Sequence, residues 1–218
     1  MAWNRLQRAA LSEAKNDDLT HLQAAASNGH LEVVQVLIGQ GADLNKAGDD
    51  GRTPLHAASS NGHLDVVQFL IGQKADLNRA GNDGGTPLQA ASLKGHLDVV
   101  QFLTSQKFLI GQGAALNRTG NGGSTPLHAA SFSGQVEVVQ FLIGQGADLS
   151  RAGNDGRTPL QAASSNGYLN VVEFLTDQEA DLNRAGFDGR TPLHSQLIDK
   201  VLKSRFEAID CGTLHNIA

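Results

Sequence analysis

Apolar positions fall along this chain in short helical stripes, separated by polar segments rich in turn residues. Residues 51–83 show the pattern most clearly. Leu64, Val67, Leu70 and Ile71 stand at i, i+3, i+6 and i+7, one face of a helix. A shorter stripe precedes it, Leu55 with Ala57 and Ala58, whose small side chains let a neighbouring helix come close. Thr53 occupies the N-cap position of that first helix, and Pro54, with its φ already set, the first helical position. Asn61-Gly62 ends it, because glycine enters the left-handed region cheaply. Asp65 complements the dipole at the start of the second helix, and Gly72 lies near its end. Residues 75–84 are turn-rich. The pattern predicts helix, turn, helix and a hairpin-like loop.

The unit recurs. Thr53-Pro54-Leu55-His56 returns as Thr86-Pro87-Leu88-Gln89, Thr125-Pro126-Leu127-His128, Thr158-Pro159-Leu160-Gln161 and Thr191-Pro192-Leu193-His194. A weaker copy, Thr20-His21-Leu22-Gln23, comes first, and the steps between copies are 33, 33, 39, 33 and 33 residues. No unit can bury its own stripe. Stacked units bury it against one another, which predicts an all-α solenoid of repeats at 18–50, 51–83, 84–122, 123–155 and 156–188.

The Thr-Pro-Leu-His-x-Ala run, the later Gly-His, the Val-Val pair and Gly-Ala-Asp-Leu-Asn keep their spacing from about residue 18 to 194 and resemble the ankyrin repeat. The resemblance implies antiparallel helix pairs with loops projecting at right angles. It also implies a protein-binding scaffold that uses loop tips and a concave face lined by the first helices. Asn45, Asn78, Asn117 and Asn183 match the loop asparagine that an intracellular hydroxylase can modify in such repeats, whereas Ser150 departs from it.

The pattern breaks in three places. Trp3, Leu6 and Ala10 suggest an amphipathic helix, expected as an N-terminal cap at 1–17. The third repeat is six residues too long, and six residues is not a whole number of helical turns. Either its second helix runs on and exposes Phe102 or Phe108, or the extra residues bulge out. An exposed Phe could be a partner contact; a tolerated surface insertion is preferred to that reading. After His194 the small residues and the Asn-Gly turn disappear, and one longer helix is expected at about 192–209. It closes the stack as a cap at 189–218, or else it opens the next segment of a larger protein.

Composition narrows the function. The formal net charge of −5 gives no reason to expect nucleic-acid binding. One cysteine, Cys211, allows no disulfide framework and suits a reducing compartment. The residues after Met1 lack the apolar run of a signal peptide. Arg5 and Arg8 could open a transit peptide, but Glu13, Asp17 and Asp18 follow too soon. No stretch is long enough to span a membrane. A soluble, monomeric protein of the cytoplasm, with the nucleus left open, is expected.

Catalytic chemistry is not expected. Histidines recur one per repeat, at 56, 128 and 194 in one slot and at 30, 63 and 96 in another. That is the distribution of a structural residue, and no His-Glu-x-x-His or Cys-x-x-Cys supports zinc. His30-Leu31-Glu32 lacks the cysteine pair of a deaminase site, and Gly39-Gln40-Gly41 lacks the Lys-Ser/Thr of a phosphate loop. Asn117-Arg118-Thr119 is a lone glycosylation sequon. No cofactor and no metal are expected.

Binding residues are sought where repeats differ or charges align. Lys46, Arg79, Arg118, Arg151 and Arg184 occupy one loop position, and Arg52, Arg157 and Arg190 add a second row. Such a ladder suits an acidic peptide. Asp43, Asp76, Asp148 and Asp181, with Asp50, Asp83, Asp155 and Asp188, could equally neutralise it. Leu93, Phe132 and Phe187 replace small or polar residues of other repeats, and Tyr168 replaces His63. Aromatic residues are favoured at interface hot spots, so Phe132 and Phe187, with Leu93 beside them, are the expected contacts. The function expected is a protein-binding adaptor. A spacer without a specific face, or a fragment of a larger protein, stays open beside it.

Overall fold

The structure, a computed structural model, is described for residues 21–110 and 116–192, and for residues 106–110 as backbone only. The expected caps at 1–17 and beyond 192, with His194 and Cys211, lie outside the described residues, as does the side chain of Phe108. Ten helices form among the described residues: α1 (His21–Ser27), α2 (Leu31–Gly39), α3 (Pro54–Ser60), α4 (Leu64–Gly72), α5 (Pro87–Lys94), α6 (Leu97–Ile110), α7 (Pro126–Phe132), α8 (Val136–Gly144), α9 (Pro159–Asn166) and α10 (Leu169–Asp177). They form an all-α repeat architecture in which each repeat is a pair of helices followed by a loop.

The chain divides into two compact units, 1–91 with 96–115, and 92–95 with 116–218. In the first, α1 packs on α3, α2 on α4, and α4 on α6. In the second, α7 packs on α9 and α8 on α10. First helices therefore stack on first helices, and second on second. The core repeats with them: Leu55, Ala58, Val66, Val67 and Leu70 are fully buried in one unit, and Leu127, Ala130, Val139, Leu142, Val172 and Leu175 in the other. Burying each leucine contributes roughly 1.5–3 kcal/mol. Leu64 is only half-buried, and Val66 takes the place expected for it. A second helix in a stack is covered on two sides, so its buried arc is wider than a single stripe.

The first helices start as the threonines predict. Thr125 is extended (φ −92°, ψ 170°) and its hydroxyl accepts the His128 N–H. His128 answers through Nδ1, which accepts the Thr125 N–H at 3.3 Å. In the first unit Thr53 N–H donates to His56 Nδ1 at 3.1 Å. An Nδ1 that accepts carries no proton, so Nε2–H is the donor. It donates across to the next repeat's loop, from His56 to Gly85 C=O and from His128 to Arg157 C=O, each at 3.1 Å. Gln161 does the same with an amide: Oε1 accepts the Thr158 N–H at 2.9 Å and Nε2 donates to Arg190 C=O at 2.7 Å. Gln23 likewise donates to Arg52 C=O. Histidine and glutamine alternate in this slot because each offers one acceptor and one donor at opposite ends.

The turn inside a repeat is equally constrained. Gly62 has φ 74°, and a Cβ there would lie 2.5 Å from His96 Nδ1. His96 Nε2 donates to Ser60 C=O at 3.1 Å, and His63 Nε2 to Ser27 C=O at 3.0 Å. Both expected histidine slots are thus structural. At the end of the second helix, Ala75 N–H reaches back to Leu70 C=O at 3.0 Å. The residue before Ala75, Lys74, has φ 68°, and Glu179 in the same position has φ 60°, where Gly41 and Gly146 stand in other repeats.

The long third repeat resolves in favour of a continued helix: α6 runs on to Ile110. Phe102 is not exposed by this. It stays half-buried, as Phe69, Phe141 and Phe174 are in their repeats.

Two predictions follow from the caps and helix ends. Burial holds the pKa of His56 and His128 below the ordinary 6.5, and the carbonyls that accept from Nε2 offset this only in part. Below pH 6.5 the unfolded chain binds protons that these folded histidines resist. Stability is therefore lost as pH falls through 6.5 toward the folded pKa values, by up to about 1.4 kcal/mol per histidine per pH unit. A His56→Gln, His128→Gln double variant stays folded and loses that part of the dependence, as urea unfolding between about pH 7.5 and 5.5 reads directly. Second, Lys74→Gly relieves a left-handed conformation costing about 1–2 kcal/mol, against about 0.5–1 kcal/mol of glycine's extra unfolded freedom. It raises the unfolding midpoint in the same assay.

Candidate functional site

The loops are built before they are charged. Each closes on itself, Gly48 N–H to Arg52 C=O (3.0 Å) and Gly81 to Gly85 (2.9 Å) in the first unit, Gly153 to Arg157 (2.8 Å) and Gly186 to Arg190 (2.9 Å) in the second. Each then bonds its neighbour through Asn82 N–H to Asp50 C=O, Asn154 to Gly122 and Phe187 to Asp155, all at 2.9 Å. Gly51 shows what the close approach requires: φ is 73°, and a Cβ would meet the Asn82 nitrogen at 2.6 Å.

The loop aspartates shape this backbone. Oδ1 of Asp43, Asp76 and Asp148 accepts the N–H two residues on at 2.9 Å, and Asp181 does so at 2.8 Å. Asp50, Asp83, Asp155 and Asp188 repeat the device at 2.9–3.1 Å. The Ser150 hydroxyl on Asp148, at 2.7 Å, pulls its carboxyl below the usual carboxylate range. Partial desolvation opposes ionisation of Asp83, but the Gly85 N–H and the Arg52 guanidinium outweigh it. The Arg157 guanidinium holds Asp188 low in the same way.

Salt bridges of the expected kind form at Arg52 and Arg157, two of the three cations of the second row. Arg52 pairs with Asp83 of the next loop at 3.0 Å, and Arg157 with Asp188 at 2.9 Å. In the other row, Arg184 donates to Ser150 C=O at 2.7 Å. Lys46, Arg79 and Arg151 are exposed and make no ion pair among the described residues. Arg118 is exposed as well. Asn45 and Asn117 are spent on structure, their Oδ1 atoms accepting the N–H of Asp76 at 2.9 Å and Asp148 at 3.0 Å.

The apolar candidates all belong to the second unit but do not form one cluster. Phe187 is 83% exposed at a loop tip. Asn82 and Asn154 hold the corresponding positions and donate their side-chain amides to Asp49 and Asn121 C=O at 2.6 Å. Phe187 gives up that bond, keeps the backbone one, and lays its ring over Gly156. Phe132, 55% exposed, closes α7 at its far end, roughly 10 Å of helix from the loop edge. Leu93, 38% exposed, holds the corresponding place near the end of α5. Tyr168 belongs with them. Its ring covers Gly134, two residues after Phe132, where the first unit sets His63 and His96 on Gly29 and Gly62. Leu169, also exposed, completes this helix-turn edge. Sequence reasoning missed Leu169, because a leucine fills that slot in other repeats too; only the unusual Tyr168 before it was a signal.

Among the described residues no three His, Cys, Asp or Glu side chains are placed to hold a metal ion, and no helix is long and apolar enough to cross a membrane. The family model for ankyrin repeats, built on three copies, matches residues 5–81, 22–107, 73–153, 104–186 and 150–196. No curated protein matches. Ankyrin repeats generally serve as protein–protein interaction modules. Overlapping matches that run without a gap from residue 5 to residue 196, on repeats capped and bonded as described, show that this chain belongs to the ankyrin-repeat family.

Proposed function

We propose that this chain is a protein-binding scaffold whose partner lies on the second unit, along the loop tips around Phe187 and the helix-turn edge of Leu93 and Phe132. One observation carries the reading. The most exposed aromatic side chains replace residues that elsewhere hold repeats together, and the scaffold folds without what they gave up. The Asn82 and Asn154 side chains bond the preceding loop and the Phe187 side chain does not; His63 and His96 bond a helix end, and at Tyr168 an aromatic ring takes that place. Exposed aromatics cost solubility and here make no hydrogen bond between repeats in place of the ones lost, whereas such side chains dominate binding energy at interfaces. Arg118, Arg151 and Arg184 recur on the second unit's loops, the last of them on the same loop as Phe187, and Lys46 and Arg79 hold the same position in the first unit's own loops. The reading includes no catalysis and no cofactor. A single cysteine in 218 residues supports a reducing, intracellular setting.

The near-identity of the repeats supports a second reading, a spacer with no specific face. A pull-down from native lysate separates the two. One bait is the chain; the other carries Phe132→Ala, Phe187→Ala and Arg118→Glu. Hot-spot truncations cost about 2 kcal/mol each, so partners of the first bait fall at least thirtyfold on the second, with both baits equally helical. No partner for either bait favours the spacer, or a fragment of a larger protein.

A further inference from the structure

The two units carry different charge on their loops. In the first unit the loop at 43–52 holds Asp43, Lys46, Asp49, Asp50 and Arg52, and the loop at 76–85 holds Asp76, Arg79 and Asp83; each is net negative by one. In the second unit the loops at 148–157 and 181–190 balance two aspartates with two arginines. The loop at 115–124 is different. Ala115 and Gly122 stand where the others have aspartate, and Arg118 is its only charge. The second unit thus presents a positive loop edge on a chain whose net charge is −5.

Geometry sharpens the contrast. Asp155 and Asp188 are turned to Arg157, at 3.8 Å and 2.9 Å. Asp148 and Asp181 hold the Ser150 and Asn183 N–H groups; Asp148 feels the Arg151 charge but makes no salt bridge with it among the described residues. Arg118, Arg151 and Arg184 recur at one position of three successive loops joined by the Asn154–Gly122 and Phe187–Asp155 backbone bonds. Arg184 spends one guanidinium nitrogen on Ser150 C=O and keeps further N–H donors. Phe187 projects from the same edge.

We infer that this edge binds an extended acidic peptide segment, with carboxylates on the arginines and one apolar side chain on Phe187. Packed repeats lie about 10 Å apart, and an extended strand advances about 3.3 Å per residue, so every third residue of the peptide meets an arginine. A guanidinium takes a carboxylate through two parallel hydrogen bonds. The inference rests on the scaffold reading and adds the chemistry of the partner.

Panning a random peptide library of about 12 residues, some 40 Å extended, tests it. The expected peptides carry three or more Asp or Glu together with an aliphatic or aromatic residue. Their binding weakens with added salt, falls at least about tenfold in an Arg151→Glu, Arg184→Glu variant and several-fold in Phe187→Ala. Arg79→Glu, in the other unit, changes it less than about twofold. Equal helicity of all variants rules out misfolding. Enriched peptides without acidic residues, or acidic ones indifferent to Arg151→Glu, Arg184→Glu, overturn the inference and leave the scaffold reading standing. No enrichment over the blank surface removes both.

Discussion

A hydrogen bond from the first helix of one repeat to the loop of the next is the constraint on which the other features depend. Its donor is the fourth residue of the Thr-Pro-Leu-x motif, and its acceptor is a loop carbonyl 29 residues on, as from His56 to Gly85 and from His128 to Arg157. The other end of the same side chain accepts the N-cap threonine's N–H. One buried side chain therefore satisfies a helix start and a loop carbonyl together, neither of which water reaches easily. Leaving a buried polar group unpaired costs about 1–3 kcal/mol. The slot is thereby restricted to residues with an acceptor and a donor at opposite ends, which is why it holds His or Gln and why its histidines are neutral.

Once that bond sets where each loop starts, the loop's own chemistry follows. Aspartates at two fixed positions close the backbone, and loops bond to loops at 2.9 Å. Asp83 and Asp188 pair with Arg52 and Arg157, while Lys46, Arg79 and Arg151 stand exposed without a salt bridge among the described residues. Side chains that take part in none of these bonds are where the repeats can differ without loss of fold. Phe187, Phe132 and Leu93 occupy such places, and the second unit concentrates them.

Sequence and structure agree most closely where the pattern repeats. The helix pairs, the threonine caps and the structural histidines are legible because every copy states them again at fixed spacing. The wider buried arc of α4 is less so, since one helix's stripe does not show that neighbours cover it on both sides and bury Val66. The fate of the six-residue insertion turns on a competition. Residues 105–110 contain no Gly or Pro and favour a continued helix, whereas six residues out of step with the helical turn leave a bulge open as well. The charge ladder was ambiguous because an aspartate that caps a turn and one that pairs with arginine look alike in sequence; coordinates separate Asp148 from Asp188. Placing Phe132 and Phe187 on different edges likewise needs the path of the chain between them.

The inter-repeat bonds hold the fold, and the exposed aromatic side chains make none of them. Unfolding free energies of His128→Leu and of Phe132→Ala, Phe187→Ala, set side by side, put this to the test. His128→Leu removes the partners of the Thr125 N–H and the Arg157 C=O while keeping an apolar core, and the expected loss is about 2 kcal/mol or more. The aromatic double variant stays within about 0.5 kcal/mol of the parent. A neutral His128→Leu, or a double variant that unfolds, would contradict it.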